Sequence, residues 1–431
     1  MKAQKNNFNT ADGLLVFTSM PAQKDYSAIG WHSRKTLKHL AERMPVIVCA
    51  EKSASVHEKA HMGKWVKILR VWSAKNALSI LNLLSMRIRF WRIQRVLVPF
   101  EFSVFGSVFA NGLLVAVLGM LRLTGMQVTV EIHQVVTDIL LLKKHIGIQN
   151  PYIAAVLNVC LHTYYRALGF VANNVVVFEH ELEDRLRLYV PKHKIHTLSL
   201  AVEKSAPMPR TRARKLLGLP LKKPVIMLFG FINGYKGFDT FLKAVQKYAD
   251  DDFSVFVAGG PNPHLRESAW YARFYRSVLT LIRTDARIMH AGFVPDQQVN
   301  ACFSAADVLV LPYEVFMSAS GPFSLALSHG TPVVLSEALL KYARSADIQH
   351  ALLENGLKKS DLFFPLTDAG IQGVVHRIVT SSRYRNKLKK FTHAVSEKRS
   401  MQEVIAHYVR ILTIQKKSTS VPALSLSLEV R

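Results

Sequence analysis

Short apolar runs that alternate with longer amphipathic stretches are the feature of this sequence that most restricts its fold. In the first half, such runs occupy residues 14–18, 46–50, 96–100, 128–132 and 175–178, with helical patterns between them. Parallel strands that are joined by helices are covered on both faces, and they read as continuous apolar runs. The order therefore predicts a parallel sheet between two layers of helices.

The same order begins again in the second half. Predicted strands lie at 224–230, 253–258, 286–289, 308–311 and 332–335. The sequence thus predicts an α/β protein with two doubly wound, Rossmann-like domains that face each other across a cleft. We expect the first domain at residues 1–203 and the second at 204–399, with a polar, basic joint near 201–219. A last helix over 400–416 is predicted to return to the first domain, and 417–431 to form a flexible tail.

Composition excludes several classes of protein. Hydrophobic residues make up 49% of the chain, which excludes general disorder. The three cysteines are far apart, which excludes a disulfide scaffold or a cysteine-rich zinc site and fits a reducing compartment. The 56 Lys and Arg residues exceed the 30 Asp and Glu residues, and the net charge of +26 favours a polyanionic partner. Nucleic acid, anionic lipid and phosphorylated substrates all meet that condition.

The stretch IMLFGFINGYKGFDTFLKA opens the second domain with a strand, a short loop and a helix. Gly230 ends the predicted strand, and the loop contains Lys236. Glycine lets the backbone approach a ligand closely, and the start of a helix attracts phosphate. Lys236 adds a full positive charge. The pattern predicts an anion site, although an ordinary loop with a solvated lysine has the same letters.

A second helix start follows the strand at 308–311. Its loop ends in Ser318, Ala319, Ser320 and Gly321, and Pro322 suits the first helical turn. Either this end binds a second anion or Ser320 is a plain N-cap. Two helix ends that follow the carboxyl ends of parallel strands predict a ligand in the crevice of the sheet.

Together these motifs resemble a GT-B glycosyltransferase similar to glycosyltransferase family 4. The resemblance extends from about residue 14 to 408 and is strongest over 224–340. It depends on six pieces in matching order: Gly230, Lys236-Gly237, Ala258-Gly259-Gly260, Gly292-Phe293-Val294, Ala306 to Pro312, and Gly330-Thr331-Pro332-Val333-Val334.

The resemblance implies roles for individual residues. Lys236 would hold the diphosphate of a nucleotide-sugar beside Gly230. The resemblance also implies the following contacts: Phe293 and Val294 with the base, Ser318, Ser320 and Gly321 with the diphosphate and sugar, Gly30 in a glycine-containing acceptor loop, and His133 near the donor sugar and the acceptor. Such enzymes retain the anomeric configuration and need no cofactor, metal or covalent nucleophile.

The sequence also departs from the family pattern. Phe231 stands where many members have arginine, and the family's glutamate pair is replaced near Met317 and Leu325. Glu314 is either a substitute catalytic carboxylate or a surface glutamate. Three functions stay open: transfer of a sugar from a UDP- or GDP-sugar to a saccharide or lipid-linked acceptor, a catalytically silent GT-B subunit that binds a partner transferase or the membrane, and another GT-B enzyme such as a nucleotide-sugar epimerase.

Two motifs match metal sites by letter only. Residues 57–61 read HExxH without a third ligand at a suitable distance, and residues 250–252 are three aspartates at the edge of a strand. We expect neither to bind a metal.

Residues 59–96 contain nine Lys or Arg residues and no Asp or Glu, with Trp65, Trp72 and Trp91 between them. This composition is typical either of an element that lies on an anionic membrane surface or of a solvated face. Nucleic acid is disfavoured, because no recognition motif is present. Residues 104–121 are either a buried helix, which we favour, or a membrane span. The N-terminus lacks a signal-peptide pattern. These features predict a cytoplasmic protein on the inner face of the plasma membrane.

Overall fold

The computed structural model describes residues 8–20, 28–52, 65–140, 148 and 150–414. The chain forms two parallel sheets, of seven and six strands, each covered by helices. The predicted α/β architecture of two doubly wound sheets is confirmed. The HExxH letters at 57–61 and the tail at 417–431 lie outside the described residues.

The first sheet has the strand order β3-β2-β1-β4-β5-β6-β7. Its strands are β1 Leu14–Phe17, β2 Val46–Glu51, β3 Val66–Trp72, β4 Arg95–Phe100, β5 Gln127–Ile132, β6 Asn174–Phe178 and β7 Ile195–Leu198. Its helices are α1 Ala28–Leu40, α2 Asn82–Arg89, α3 Val108–Leu123, α4 Pro151–Val171 and α5 His180–Leu186, with 3₁₀ turns at Ala77–Leu81 and Lys192–Lys194.

The second sheet has the order β10-β9-β8-β11-β12-β13. Its strands are β8 Val225–Phe229, β9 Ser254–Ala258, β10 Ile288–His290, β11 Val308–Leu311, β12 Val333–Ser336 and β13 Phe363–Phe364. Helices follow at α6 Arg210–Leu217, α7 Phe238–Gln246, α8 Ala269–Arg283, α9 Asp296–Ala305, α10 Gly321–His329, α11 Ala346–Glu354, α12 Lys359–Leu362, α13 Asp368–Thr380, α14 Ser382–Lys398 and α15 Met401–Thr413, with 3₁₀ turns at Gly234–Lys236 and Glu337–Arg344.

Alternate residues of β1 divide the first domain into two layers. Leu15 and Phe17 belong to the core beneath α2, α3 and α4, whereas Leu14 and Val16 face α1 and α15. The period of two that any strand imposes on its side chains produces this division. Helix α15 therefore crosses back from the second domain and completes the core of the first.

This arrangement bears on two sequence expectations about the first domain. The described part of the basic stretch 59–96 contains an edge strand, β3, a 3₁₀ turn and the short helix α2, and its docking on a membrane stays a prediction. Residues 104–121 overlap α3, which packs on the sheet with Leu114, Val117 and Leu118 buried. Within the part of the chain that the structure describes, none of the helices combines the length and hydropathy that a bilayer span requires.

A buried ion pair joins the two domains where the chain crosses back. Arg399, just before α15, lies 2.5 Å from Glu179 at the end of β6 and 2.6 Å from Asp347. Both members of the Arg399–Glu179 pair are 2% exposed. Ser345 adds a hydrogen bond to the Glu179 carboxylate. Glu179 has a positive φ of 72°, a conformation that the surrounding contacts must hold in place.

This pair yields a stability prediction. Arg399→Met removes the cation and leaves the Glu179 carboxylate buried without its charged partner. Breaking a buried pair from one side costs about 3–5 kcal/mol. We expect a loss of that order in the free energy of unfolding, measured by chemical denaturation. The exposed Arg383→Met is the matched control, and an Arg399→Met protein as stable as that control would contradict the assignment.

Candidate functional site

Backbone packing at the carboxyl ends of β8, β9 and β11 builds one wall of the cleft. A Cβ atom on Gly237 would lie 1.9 Å from the carbonyl oxygen of Pro312, and one on Gly259 would lie 2.2 Å from that of Gly230. Gly237 also has a φ of +63°, which side chains disfavour. Only glycine fits these positions, so the three loops close tightly around the turn that contains Lys236.

Lys236 ends this turn with its side chain buried. The position that a Cβ of Gly230 would take is 2.8 Å from the Lys236 Nζ, so the missing side chain makes room for the ammonium. Burial lowers the pKa of Lys236 to about 8. Among the described residues, no carboxylate lies within 4 Å of this ammonium. A buried cation without a counter-charge suits an anionic ligand.

Ser320 is the residue directly before helix α10. Its hydroxyl accepts a hydrogen bond from the amide of Phe323, and its own amide donates to the Tyr342 hydroxyl at 2.9 Å. Ser320 is therefore the N-cap of α10, and its contact with an anion stays a prediction. Gly321 is different, because it is exposed and a Cβ built on it would meet nothing within 4 Å. The accessible surface of this helix end is at Gly321.

Ser318 brings the α10 loop to the first domain. It forms an isolated antiparallel bridge with Gln134, the residue that follows His133. The loop of the second domain and the end of β5 in the first domain therefore meet. His133 and Gly321 both lie within three residues of this bridge along the chain.

His133 belongs to a buried cluster that the sequence did not reveal. Its Nε2 lies 2.5 Å from Oε1 of Glu131, and the Nε2 of His32 lies 3.0 Å from the same oxygen. Tyr408 of α15 donates its hydroxyl to Oε2 of Glu131. Residues i and i+2 of a strand point to one side, which is the only local signal for the Glu131–His133 pair.

Two imidazoles flank one buried carboxylate in this cluster. Burial alone raises the pKa of Glu131, but His133 and His32 outweigh it, so the net effect is a lowered pKa. The three side chains also form a donor set suited to a divalent cation, with their ligand atoms within 4.8 Å of one another. The aspartates 250–252 form a second such group, on an exposed loop.

Phe293 and Phe231 form an aromatic pair beside the cleft. Their ring centroids are 6.1 Å apart and their planes differ by 18°. Phe293 is 54% exposed, and Gly260 passes so close that a Cβ there would lie 2.9 Å from the Phe293 amide nitrogen. Val294 is half-buried and packs against the core. Phe231, the residue that departs from the family pattern, thus extends the aromatic surface of Phe293.

Glu314 and Gly30 are the two remaining candidate site residues. The carboxylate of Glu314 accepts a hydrogen bond from Thr240 at 2.8 Å, on the side of α7. Gly30 is buried in the first turn of α1, and its predicted place in a glycine-containing acceptor loop stays a prediction. The apolar stripe of Ile29, Leu37 and Leu40 buries one face of this helix.

Comparison with known proteins finds a family match within the second domain. Residues 223–357 match the family described as glycosyl transferases group 1. The chain is 35% identical over 133 residues to the 2-deoxystreptamine glucosyltransferase of Streptomyces kanamyceticus, which is 30% of this chain and 32% of that protein. It is 29% identical over 129 residues to the D-inositol 3-phosphate glycosyltransferase of Corynebacterium glutamicum, covering 28% and 29% of the two chains. The alignment thus spans about a third of these curated relatives.

Solved structures match nearly the whole chain. The sucrose-phosphate synthase of Thermosynechococcus elongatus has a TM-score of 0.68 at 15% identity, covering 92% of this chain and 97% of that one. WaaG, a glycosyltransferase involved in lipopolysaccharide biosynthesis, has a TM-score of 0.63 at 13% identity, covering 93% and 100%. HepE of Anabaena, solved in complex with UDP, has a TM-score of 0.66 at 11% identity, covering 93% and 98%. The GT-B fold and the resemblance to group 1 glycosyltransferases are confirmed.

Acid titration tests the Glu131 cluster. A carboxyl group with a lowered folded pKa contributes stability above its unfolded pKa, near 4.5, and that contribution is lost as the pH falls below it. We expect Glu131→Gln to cost on the order of 1–3 kcal/mol near neutral pH and less as the pH approaches 3. Denaturation at several pH values measures this. Exposed Glu267→Gln is the control, and a cost that does not shrink in acid would contradict the assignment.

Proposed function

We propose that this chain, which has the GT-B fold and a second domain of the group 1 glycosyltransferases, transfers a sugar from a nucleotide-sugar donor to a saccharide or lipid-linked acceptor. The observation that carries the proposal is the buried, uncompensated ammonium of Lys236 between the starts of α7 and α10. A diphosphate is the group that such a site suits best. UDP and GDP both provide it.

The geometry supports a simple chemical role for this wall of the cleft. When the bond between the anomeric carbon and the β-phosphate oxygen breaks, that oxygen gains negative charge. A fixed ammonium and the free amides of a helix end stabilise such charge most strongly in a site that excludes water. Lys236 and the backbone at Gly321 would supply these groups. As the acceptor oxygen forms the new bond to the anomeric carbon, its proton passes to the departing β-phosphate oxygen.

Other residues of the cleft take supporting roles in this proposal. The aromatic surface of Phe231 and Phe293 would lie against the nucleobase. His133 would contact the donor sugar or the acceptor from the first domain, with its ring oriented by the Glu131 carboxylate. Ser318 would line the site where the domains meet. Glu314, which accepts from Thr240, is a weaker candidate for a catalytic carboxylate.

The names of similar proteins support the class of reaction and leave the substrates open. The curated relatives are glycosyltransferases with different acceptors, and HepE was solved with UDP and with UDP and glucose. For this chain we propose a UDP- or GDP-sugar, retention of the anomeric configuration, and action on the inner face of the plasma membrane.

A catalytically silent subunit is the competing function, and the absence of the family's glutamate pair at Met317 and Leu325 favours it. Another GT-B enzyme, such as a nucleotide-sugar epimerase, is a third possibility. Incubation with a panel of UDP- and GDP-sugars separates them. Slow donor hydrolysis indicates a transferase, a new donor isomer indicates an epimerase, and binding without turnover under any acceptor indicates the silent subunit.

Nucleotide binding tests the role of Lys236. Lys236→Met removes the charge at similar length, and we expect UDP or GDP to bind roughly 10- to 100-fold more weakly, since a hydrogen bond to a charged group contributes about 1.5–3 kcal/mol. Isothermal titration calorimetry measures this. Lys243→Met, on the exposed face of α7, is the matched control.

The pH dependence of the same titration gives a second readout. Because the pKa of Lys236 is lowered to about 8, the free protein carries this charge at neutral pH and loses it in mild alkali. Wild-type affinity should fall as the pH rises through about 8, whereas the affinity of Lys236→Met should change much less. Parallel pH profiles in the two proteins would contradict the proposed contact.

Independence from metal is a further expectation. Donor hydrolysis should continue after dialysis against a chelator, because Lys236 and the helix ends replace the cation in the proposed site. Activity that disappears with the chelator and returns with a divalent cation would contradict this and would direct attention to His32, Glu131 and His133.

A further inference from the structure

The outer face of the first domain exposes an unusual set of apolar side chains. They lie on the 3₁₀ turn Ala77–Leu81, on α2 and the residues after it, and on α3 and α4, which together we call the outer face. Its exposed members are Leu78, Leu81, Ile88, Trp91, Val108, Phe109, Met120, Leu123, Tyr152, Ile153, Val156, Val159 and Phe170. Several are almost fully in solvent, with Val108 and Leu123 both 89% exposed. Contiguous patches of this kind usually mark a binding surface.

The elements of the outer face form one continuous layer. Helix α3 packs against the 3₁₀ turn, against α2 and against α4. Arg87 of α2 donates to Thr124 after α3, and Arg122 of α3 donates to the carbonyl of Phe170 in α4. The opposite sides of α3 and α4 are buried on the sheet through residues such as Leu118 and Leu168. The exposed side is therefore a separate apolar surface and not a gap in the core.

Charge on the outer face has one sign. The sequence has no Asp or Glu in the 3₁₀ turn, α2, α3 or α4, and none between 139 and 178. Basic side chains border the apolar ones: Lys75, Arg87, Arg89, Arg92, Arg122 and Arg166. Arg92 lies over the ring of Trp91 at 5.1 Å, which pairs a cation with an exposed aromatic side chain.

We propose that the outer face docks this protein on an anionic lipid bilayer. Apolar side chains would enter the boundary between headgroups and acyl chains, and the arginines would pair with lipid phosphates. Each basic group near such a surface contributes attraction, and together they select anionic lipid over neutral lipid. A second copy of the chain fits less well, because a twofold contact would place two basic faces against each other.

This surface includes the second half of the basic stretch 59–96 that the sequence indicated, and it leaves out the first half. Arg70 donates to the carbonyl oxygens of Met20 and Glu51, so its charge is committed inside the first domain. Lys67 lies on the edge strand β3. The contribution of α3 and α4 was not predicted, because both helices also suit a buried layer.

The position of the outer face relates it to the cleft. Helices α3 and α4 begin at Val108 and Pro151, after the carboxyl ends of β4 and β5. His133 follows β5 at the same edge of the sheet. Docking through the outer face would therefore place this rim near the membrane. This deepens the proposed function, on which the lipid-linked acceptor rests, although the docking itself needs no sugar transfer.

Vesicle sedimentation of the full chain tests the proposal. The test variant combines Ile88→Ser, Phe109→Ser and Tyr152→Ser, which removes three exposed apolar side chains from α2, α3 and α4. The control combines Leu188→Ser, Leu216→Ser and Leu353→Ser, which are exposed to a similar degree outside the outer face. Vesicles of phosphatidylcholine alone and of phosphatidylcholine with phosphatidylglycerol serve as probes.

We expect wild type and control to sediment with the anionic vesicles, and the test variant to bind at least about tenfold more weakly, as the loss of roughly 1.4 kcal/mol or more of apolar burial requires. Equal binding by test variant and control would overturn the proposal, as would a failure of wild type to bind anionic vesicles. A wild-type dimer that only the test variant dissociates, seen by sedimentation velocity, would reassign the outer face to self-association and overturn it too.

Two further measurements keep the outcomes separate. Unchanged thermal midpoints and unchanged UDP or GDP affinity in the test variant show that folding and the donor site are intact. Lys236→Met should bind vesicles as wild type does. A wild-type protein that docks on the vesicles but binds neither UDP nor GDP would reject the proposed sugar transfer alone. A wild-type protein that binds nucleotide but does not dock would reject the docking surface alone.

Discussion

The close approach of three strand-end loops at the carboxyl edge of the second sheet is the constraint on which the rest of the site depends. Gly237 contacts the carbonyl of Pro312, and Gly259 contacts that of Gly230, at distances that no side chain permits. This packing buries the turn with Lys236 and deprives its ammonium of water and of a protein counter-ion. Such a site is electrostatically incomplete, and in the proposed function a diphosphate completes it.

The two domains are held so that this wall faces the residues of the first domain. The Arg399–Glu179 ion pair joins the domains where the chain crosses back. Lys341 also pairs with Glu181 at 2.9 Å, and Gln134 forms a backbone bridge with Ser318. Helix α15 places Tyr408 in the first domain. The Tyr408 hydroxyl donates a hydrogen bond to the Glu131 carboxylate, which lies between His32 and His133. The helix that links the domains is thus also part of the histidine cluster.

Sequence patterns predicted the features that residues close together in the chain determine. Apolar runs gave the buried parallel strands, but β3 was missed because charged residues interrupt it at the edge of the sheet. Lys236 was found because glycines and a helix start surround it. The Glu131 cluster was not found, since its members come from α1, β5 and α15 and meet only in the fold. The share of α3 in the outer face was missed because this helix is so uniformly apolar that its pattern does not separate buried from exposed positions.

A structure of the protein with UDP or GDP bound tests the central claim most directly. The account predicts diphosphate oxygens within about 3 Å of the Lys236 Nζ and near the backbone of Gly321, with the base against Phe293. A nucleotide bound elsewhere, with the Lys236 ammonium still lacking an anionic partner, would contradict it.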